Sequence, residues 1–218
     1  MAPGGVNRTT AARGRPRTID DDTVLEAAFD AFAATGFDAM SMRRLCAELG
    51  LSHGALHQRF GSKDELFDAA LAHGVHKVVE STQIALKEQE VIPDDDLGKL
   101  RAEIRALLLS SATHPQVGRL IILTGQVDSE RLTTIFDRLT GPHIRRMGRR
   151  LQRLVDAGIV RPMTIGQLWF LVAHGGAGPY NAPALARMFA THEPPLDPVT
   201  HAELIADIII TGIRARAS

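Results

Sequence analysis

The sequence predicts an all-α fold: an N-terminal three-helix domain containing a helix-turn-helix, followed by a larger helical domain. Two observations predict it. The stretch Met42 to Lys63, MRRLCAELGLSHGALHQRFGSK, reads as two short helices with a tight break at Gly50 and a third helix start at Ser62. The capping signatures Ser62–Glu65, Thr164–Gln167 and Thr200–Glu203 each stand before apolar residues at helical spacing.

Residues 1 to 18 hold Gly, Pro, Thr and Arg without periodicity, so a flexible basic arm is expected there. Asp20, Asp21 and Asp22 open the first helix, where carboxylates complement the helix dipole. Val24, Leu25, Ala28, Phe29 and Phe32 form its core face, Gly36 ends it, and Phe37 turns back inward. In the second helix Met42, Leu45, Cys46 and Leu49 make one apolar stripe, and Gly50 exits through a left-handed conformation. Ser52 is the expected N-cap of a third helix that buries Ala55, Leu56 and Phe60. Helices this short need a partner to pack on. A helix-turn-helix supplies one and leaves the polar face of its second helix free to enter a DNA major groove.

Beyond the box at Ser62, Leu66, Phe67, Ala70, Leu71 and Val75 mark a long helix to about Lys87, able to bridge the two domains. Asp94, Asp95 and Asp96 cap the next, which carries Leu97, Leu100, Ile104, Leu107 and Leu108. Thr113-His-Pro-Gln116 starts another, with Val117, Leu120, Ile121 and Leu123. A further helix spans about Ser129 to Ala157 with a break at Gly141-Pro142. Its five arginines, Arg145 to Arg153, are expected on a solvated face. Gly158 ends it. Thr164 opens the helix of Leu168, Trp169 and Phe170, which loosens at Gly175 and Gly176, and Pro183 starts a short one. Thr200–Glu203 is expected to open the last helix, with Leu204, Ile205, Ile208 and Ile209.

Charge gathers at one end. The chain balances 25 Lys and Arg against 25 Asp and Glu, yet from Ala39 to Lys63 Arg43, Arg44, Arg59 and Lys63 meet only Glu48. The arm adds Arg8, Arg13, Arg15 and Arg17 with no acid before Asp20. Such a bias suits phosphate contact. The lone Cys46 argues against a disulfide framework and fits a reducing compartment. No apolar stretch reaches a bilayer span and residues 1 to 18 have no signal-peptide apolar core, so a cytoplasmic protein with no membrane partner is expected. GxxxxGK and HExxH are absent. The one GxSxG string, Gly50-Leu51-Ser52-His53-Gly54, lies between two helices, where Ser52 reads as an N-cap rather than a nucleophile, and His73 with His76 lacks a clear third ligand. The expectation is no enzyme, no metal and no cofactor.

From Val24 to Phe67 the chain resembles the DNA-binding domain of the TetR family of transcriptional regulators. The marks lie in AAFDAFAATGFDAMSMRRLCAELGLSHGALHQRFGSKDELF: Gly36-Phe37, Ser41, Gly50-Leu51-Ser52, Leu56, Phe60, Lys63 and Glu65-Leu66-Phe67. The resemblance implies a DNA-binding domain at residues 19–65 and a ligand-binding and dimerisation domain at 66–218. It also implies a homodimer on double-stranded DNA, usually a repressor released by a small-molecule effector. Groove contacts are then expected from Ser52, His53, Gly54, His57 and Gln58, and phosphate contacts from Arg43, Arg44, Arg59 and Lys63. Two positions depart from the family pattern: Ala55 and His57 stand where members usually carry threonine and tyrosine, so a phosphate contact must shift, with Arg59 as the candidate. For a largely apolar effector, the candidate pocket residues are Leu120, Leu123, Gln126, Phe136, Met147, Leu151, Trp169, Val172 and His174. The nearly all-round apolar helices of Ile165, Leu168 and Phe170 and of Leu204, Ile205, Ile208 and Ile209 are the implied dimer interface. The competing expectation, kept alive by Ala55 and His57, is a helical small-molecule-binding or interaction protein without specific DNA binding.

Overall fold

A computed structural model describes residues 19–125, 133, 137, 140–189 and 196–215. The expected basic arm, Gln126 and Phe136 lie outside the described residues. The first helix, α1 (Asp21–Ala39), starts behind Asp20, whose side chain accepts from the Thr23 amide at 2.7 Å. Gly36, at φ 79°, breaks its helical geometry and lets Phe37 pack against Phe32 and Phe67. Next come α2 (Met42–Leu49) and α3 (His53–Phe60), capped by Ser41 and Ser52. Gly50 between them is left-handed at φ 65°, as its place after the apolar stripe requires. The helix α4 (Lys63–Lys87) begins with the expected reciprocal box: Ser62 N donates to Glu65 Oε2 at 2.7 Å and Glu65 N to Ser62 Oγ at 3.2 Å. Its 25 residues reach about 37 Å at 1.5 Å per residue.

After these four helices, α1 to α4, called the reader after the role the resemblance implies, come α5 (Asp96–Thr113), α6 (Pro115–Gly125) and α7 (Gly141–Asp156). Then come α8 (Ile165–Phe170), continued by a π-helical turn (Leu171–Gly176), α9 (Gly178–Asn181), α10 (Pro183–Phe189) and α11 (Pro198–Ile213). The Gly141-Pro142 break is where α7 starts. One cap differs from expectation. Asp197, not Thr200, caps α11: it accepts from the Thr200 amide at 2.8 Å and from its hydroxyl at 2.6 Å. Pro198 at the first helical position moves the start forward, and Glu203 is left to pair with Arg101 and Arg105 of α5.

Two apolar cores result. The first joins α1 to α4 through Phe29, Phe32, Leu45, Leu56, Leu66 and Leu71, and takes in Val117 and Leu120 of α6. It extends past the boundary expected at residue 65. The second joins α5, α7, α8 and α11 through Leu100, Ile104, Leu108, Leu151, Leu168 and Ile210. Among the described residues, no helix is long and apolar enough to cross a membrane.

A candidate nucleic-acid interface and a lobed chamber

In α3 the spacing of apolar residues decides which side faces out. Leu56 is fully buried and Ala55 and Phe60 are half-buried. This leaves Ser52, His53, Gly54, His57 and Gln58 all exposed on the opposite side. Ser52 Oγ is engaged as the cap, accepting from Ala55 N at 3.1 Å. His57 Nδ1 lies 2.8 Å from the Gly61 carbonyl. That carbonyl can only accept, so Nδ1 carries the proton and Nε2 is left as an acceptor in the neutral ring.

The four expected phosphate residues have different surroundings. Arg43 is exposed. Arg44 is also exposed, with Nε 2.9 Å from Glu48 on the next turn. Lys63 Nζ donates to the Asp38 carbonyl at 3.1 Å and lies 4.9 Å from the centroid of the Phe37 ring. Arg59 is committed internally. Its Nε donates to Asp21 Oδ1 at 2.8 Å, its guanidinium lies 5.3 Å from the Phe60 centroid, and its side chain is only 24% exposed. The role expected of Arg59, supplying the phosphate hold that Ala55 and His57 do not, therefore competes with an existing ion pair. Cys46 sits in the first core, where burial pushes its thiol up.

Between the two cores lies a chamber with two lobes. Lobe A, about 90 Å³, is walled by Val75 and Val78 of α4, Leu107 of α5, Val117 and Ile121 of α6, and Trp169. Ser111, His114, His174 and Asn181 add polar groups. Lobe B, about 100 Å³, is walled by Val79, Leu86, Ile144, Met147 and Ile165, with Gln83, Glu103, His143 and Arg146 as polar groups. Val78, Leu107, Thr140 and Trp169 line both. Burial, with Lys77 adding to it, holds the His114 imidazole below the usual histidine range; burial and then Arg146 do the same to His143. Arg146 Nη2 lies 2.8 Å from His143 Nδ1, which must accept. His143 Nε2 therefore carries the proton, and the Gln83 amide end 3.3 Å away should present its oxygen.

Of the expected pocket residues, Trp169 lines both lobes, His174 lines lobe A and Met147 lines lobe B. Leu123 is 46% exposed and lines an outer recess. Three expectations are corrected. Leu120 is a filled position of the first core, and Leu151 and Val172 belong to the second, each no more than 2% exposed. The sequence reasoning missed Val78, Leu107, Ile121, His114 and His143. The stripe of apolar residues on α4 beyond Val75, continuing after the reader core is complete, was the available signal. On the arginine-rich face of α7, Arg145, Arg146, Arg149 and Arg153 are exposed as expected, Arg153 in a pair with Asp96, whereas Arg150 is 12% exposed and pairs with Glu103.

At the expected dimer helices, Phe170, Leu204 and Ile208 are 60%, 55% and 56% exposed, and Leu171 joins them at 48%. Ile165 and Ile205 are half-buried against the second core. Leu168 and Ile209, expected at the interface, are core residues instead at 0% and 9% exposure. On α11 the reason is helical phase: Ala202, Ala206, Ile209 and Ile213 make the inward stripe, and Leu204 and Ile208 lie off it.

Residues 24–70 match the family model described as bacterial regulatory proteins, tetR family. Over most of its length the chain is similar to the TetR family transcriptional regulator PfmR from Thermus thermophilus. The identity is 23% and the TM-score 0.60, covering 86% of this chain and 97% of that one. It is similar to a TetR family transcription regulator from Marinobacter aquaeolei VT8 at 17% identity and TM-score 0.65, covering 88% and 94%. It is likewise similar to the ketosteroid transcriptional regulator KstR2 of Mycobacterium tuberculosis at 17% identity and TM-score 0.62, covering 89% and 94%. These structural likenesses establish the fold. No curated protein matches the chain.

Proposed function

We propose that the chain, whose residues 24–70 match the tetR family model and whose fold is shared with TetR family regulators, is a dimeric repressor released from its operator by a small, largely apolar effector. The observation that carries this reading is the outward face of α3, where Ser52, His53, Gly54, His57 and Gln58 stand exposed while Leu56 anchors the helix from behind. In the cytoplasm, a two-fold dimer through Phe170, Leu171, Leu204 and Ile208 would set two such helices about 34 to 36 Å apart, or a multiple of that, on a palindromic site. Arg43, Arg44 and Lys63 take phosphates. The amides at the α3 N-terminus take another, and Gln58 and His53 read base edges.

Release follows from two shared residues. Val75 and Val117 belong to the reader core and also wall lobe A. A ligand that fits the lobe only after α4 and α6 move apart must shift the reader with them. It weakens DNA binding to the extent that it prefers that arrangement. The test is selection of bound fragments from random DNA by the full chain. Recovery of a salt-sensitive palindrome supports the reading, and a folded dimer that enriches nothing overturns it. The latter result would favour the second reading, a helical small-molecule-binding protein without specific DNA affinity. That reading draws on Ala55, which has no hydroxyl for a phosphate, and on Arg59, already paired with Asp21.

A further inference from the structure

The chamber continues outward. Beside α6 lies a wider recess of about 430 Å³, lined by Arg119, Leu123 and Ala33 of α1. Ile122, His174 and Asn181 line both this recess and lobe A. Recess, lobe A and lobe B are thus neighbours in that order, the last two sharing Val78, Leu107, Thr140 and Trp169 as a common wall.

Charge is placed unevenly along this path. Arg119 Nε is buried and has no hydrogen-bond partner among the described residues. Asp30 of α1 feels the Arg119 charge, although desolvation and then Glu26 leave its carboxyl raised on balance, and it makes no hydrogen bond to Arg119 Nε. The lining acid deeper in, Glu103, is already bonded to Arg150 at 2.5 Å. The walls between are largely Val, Leu, Ile and Trp side chains, with Ser111, His114, Thr140, His174 and Asn181 as neutral polar groups among them in lobe A. A guanidinium donor that neither a protein acceptor nor solvent reaches is costly, and a turn of the Arg119 side chain toward the recess it lines would let an anion there remove the cost through a charge-assisted hydrogen bond.

We propose that the effector is an elongated apolar molecule ending in a carboxylate, with its acid head on Arg119 in the recess and its tail running through lobe A toward lobe B. The proposal rests on the effector-release reading above and specifies its ligand. Because Ala33 of α1 lines the recess, the head lies against the reader's own first helix, at the seam between the two domains. Glu103 Oε2 also lacks a hydrogen-bond partner among the described residues, which would favour an ammonium head in lobe B. The Glu103 charge is answered by Arg150 through its other oxygen, however, whereas Arg119 Nε still has a donor to place.

The test uses the full chain and the fluorescence of Trp169, the sole tryptophan. Dodecanoate is titrated below its aggregation threshold, in parallel with 1-dodecanol, methyl dodecanoate and dodecylammonium. The expected result is that dodecanoate binds at least about tenfold more tightly than the other three. Arg119→Gln should remove that preference while Arg119→Lys keeps part of it, with both variants melting as the parent does. Equal binding of acid and alcohol, tighter binding of the ammonium compound, no binding of dodecanoate, or an unchanged preference in R119Q each overturns the proposal. The assay contains no DNA, so it is scored independently of fragment selection. A carboxylate preference without operator recovery would sink the regulator reading alone, and operator recovery without the preference would sink this one alone.

Discussion

Arg59 Nε donates to Asp21 Oδ1 across 2.8 Å, joining the reading helix α3 to the first turn of α1. The pair is partly exposed, at 24% and 68% of the side chains, so its direct worth is under about 1 kcal/mol. On the proposed function, its larger consequence is to keep one cation away from DNA. Asp21→Asn should therefore barely change the melting temperature but free Arg59 for a phosphate. The slope of log affinity against log salt should steepen by about one per half-site. Arg59→Ala should leave the slope as it is in the parent. Fluorescence anisotropy on the selected operator between low and moderate salt reads both, and a shallower slope in R59A would show that Arg59 leaves Asp21 on binding.

Arg43 and Gln58 should separate affinity from specificity. Arg43→Ala should weaken binding to all sequences alike and reduce the salt slope by about one. Gln58→Ala should change which bases are preferred, by about 1–3 kcal/mol at the position it reads. Repeating the fragment selection with Q58A checks this: recovery of an unchanged motif would remove Gln58 from the base contacts.

The crossing of α1 and α4 is tight at one point. A Cβ placed on Gly74 would stand 2.6 Å from the Phe29 ring, which is itself 3% exposed. Gly74→Ala should cost about 1–3 kcal/mol through overpacking, more than alanine's better helix propensity returns. Urea unfolding measures it. An unchanged midpoint would mean that the ring yields freely.

The reader was legible because its signals are local. Ser52 three residues before Ala55, Gly50 after Leu49 and Ser62 before Glu65 specify caps and turns within one or two turns of chain, and the structure uses them as expected. The second domain was legible only as helices. Whether Leu120 or Ile121 faces a cavity depends on how α6 sits against α1 and α4, and adjacent residues differ by about 100° around a helix. Leu120 went to the core and Ile121 to the chamber wall. The same holds for Arg59, whose partner lies 38 residues away and left no trace in the local pattern. At α11, Thr200 and Glu203 had the spacing of a capping box, but Asp197-Pro198 offered a stronger start three residues earlier.

Acid should loosen the chamber. Burial, and then Lys77, hold His114 below its ordinary value of 6.5 in the folded chain. Unfolded, the imidazole takes up its proton near that value. The unfolded state thus binds more protons in the window just below it, and stability falls as pH drops from 6.5 toward the lower folded value. His143 carries the same sign. Melting temperatures at about pH 7.5 and about pH 5.5, on either side of that window, should differ less in His114→Gln than in the parent. An identical difference would show that His114 accepts its proton without cost in the fold.

The exposed apolar face of α8 and α11 gives the sharpest separation between monomer and dimer. Ile208 is 56% exposed in the single chain, and changes at such positions usually move stability by no more than about 0.5 kcal/mol. In a dimer packed through that face, Ile208→Asp would bury an unpaired carboxylate, which costs several kcal/mol. The variant should fold and sediment as a monomer, and its operator affinity should fall by orders of magnitude because one half-site alone remains to be gripped. Val91→Asp is the control: that residue is 82% exposed, in the segment between α4 and α5, and should leave both properties intact. Sedimentation velocity on the two variants decides the matter, since a dimeric I208D would require the two-fold contact to lie on another face.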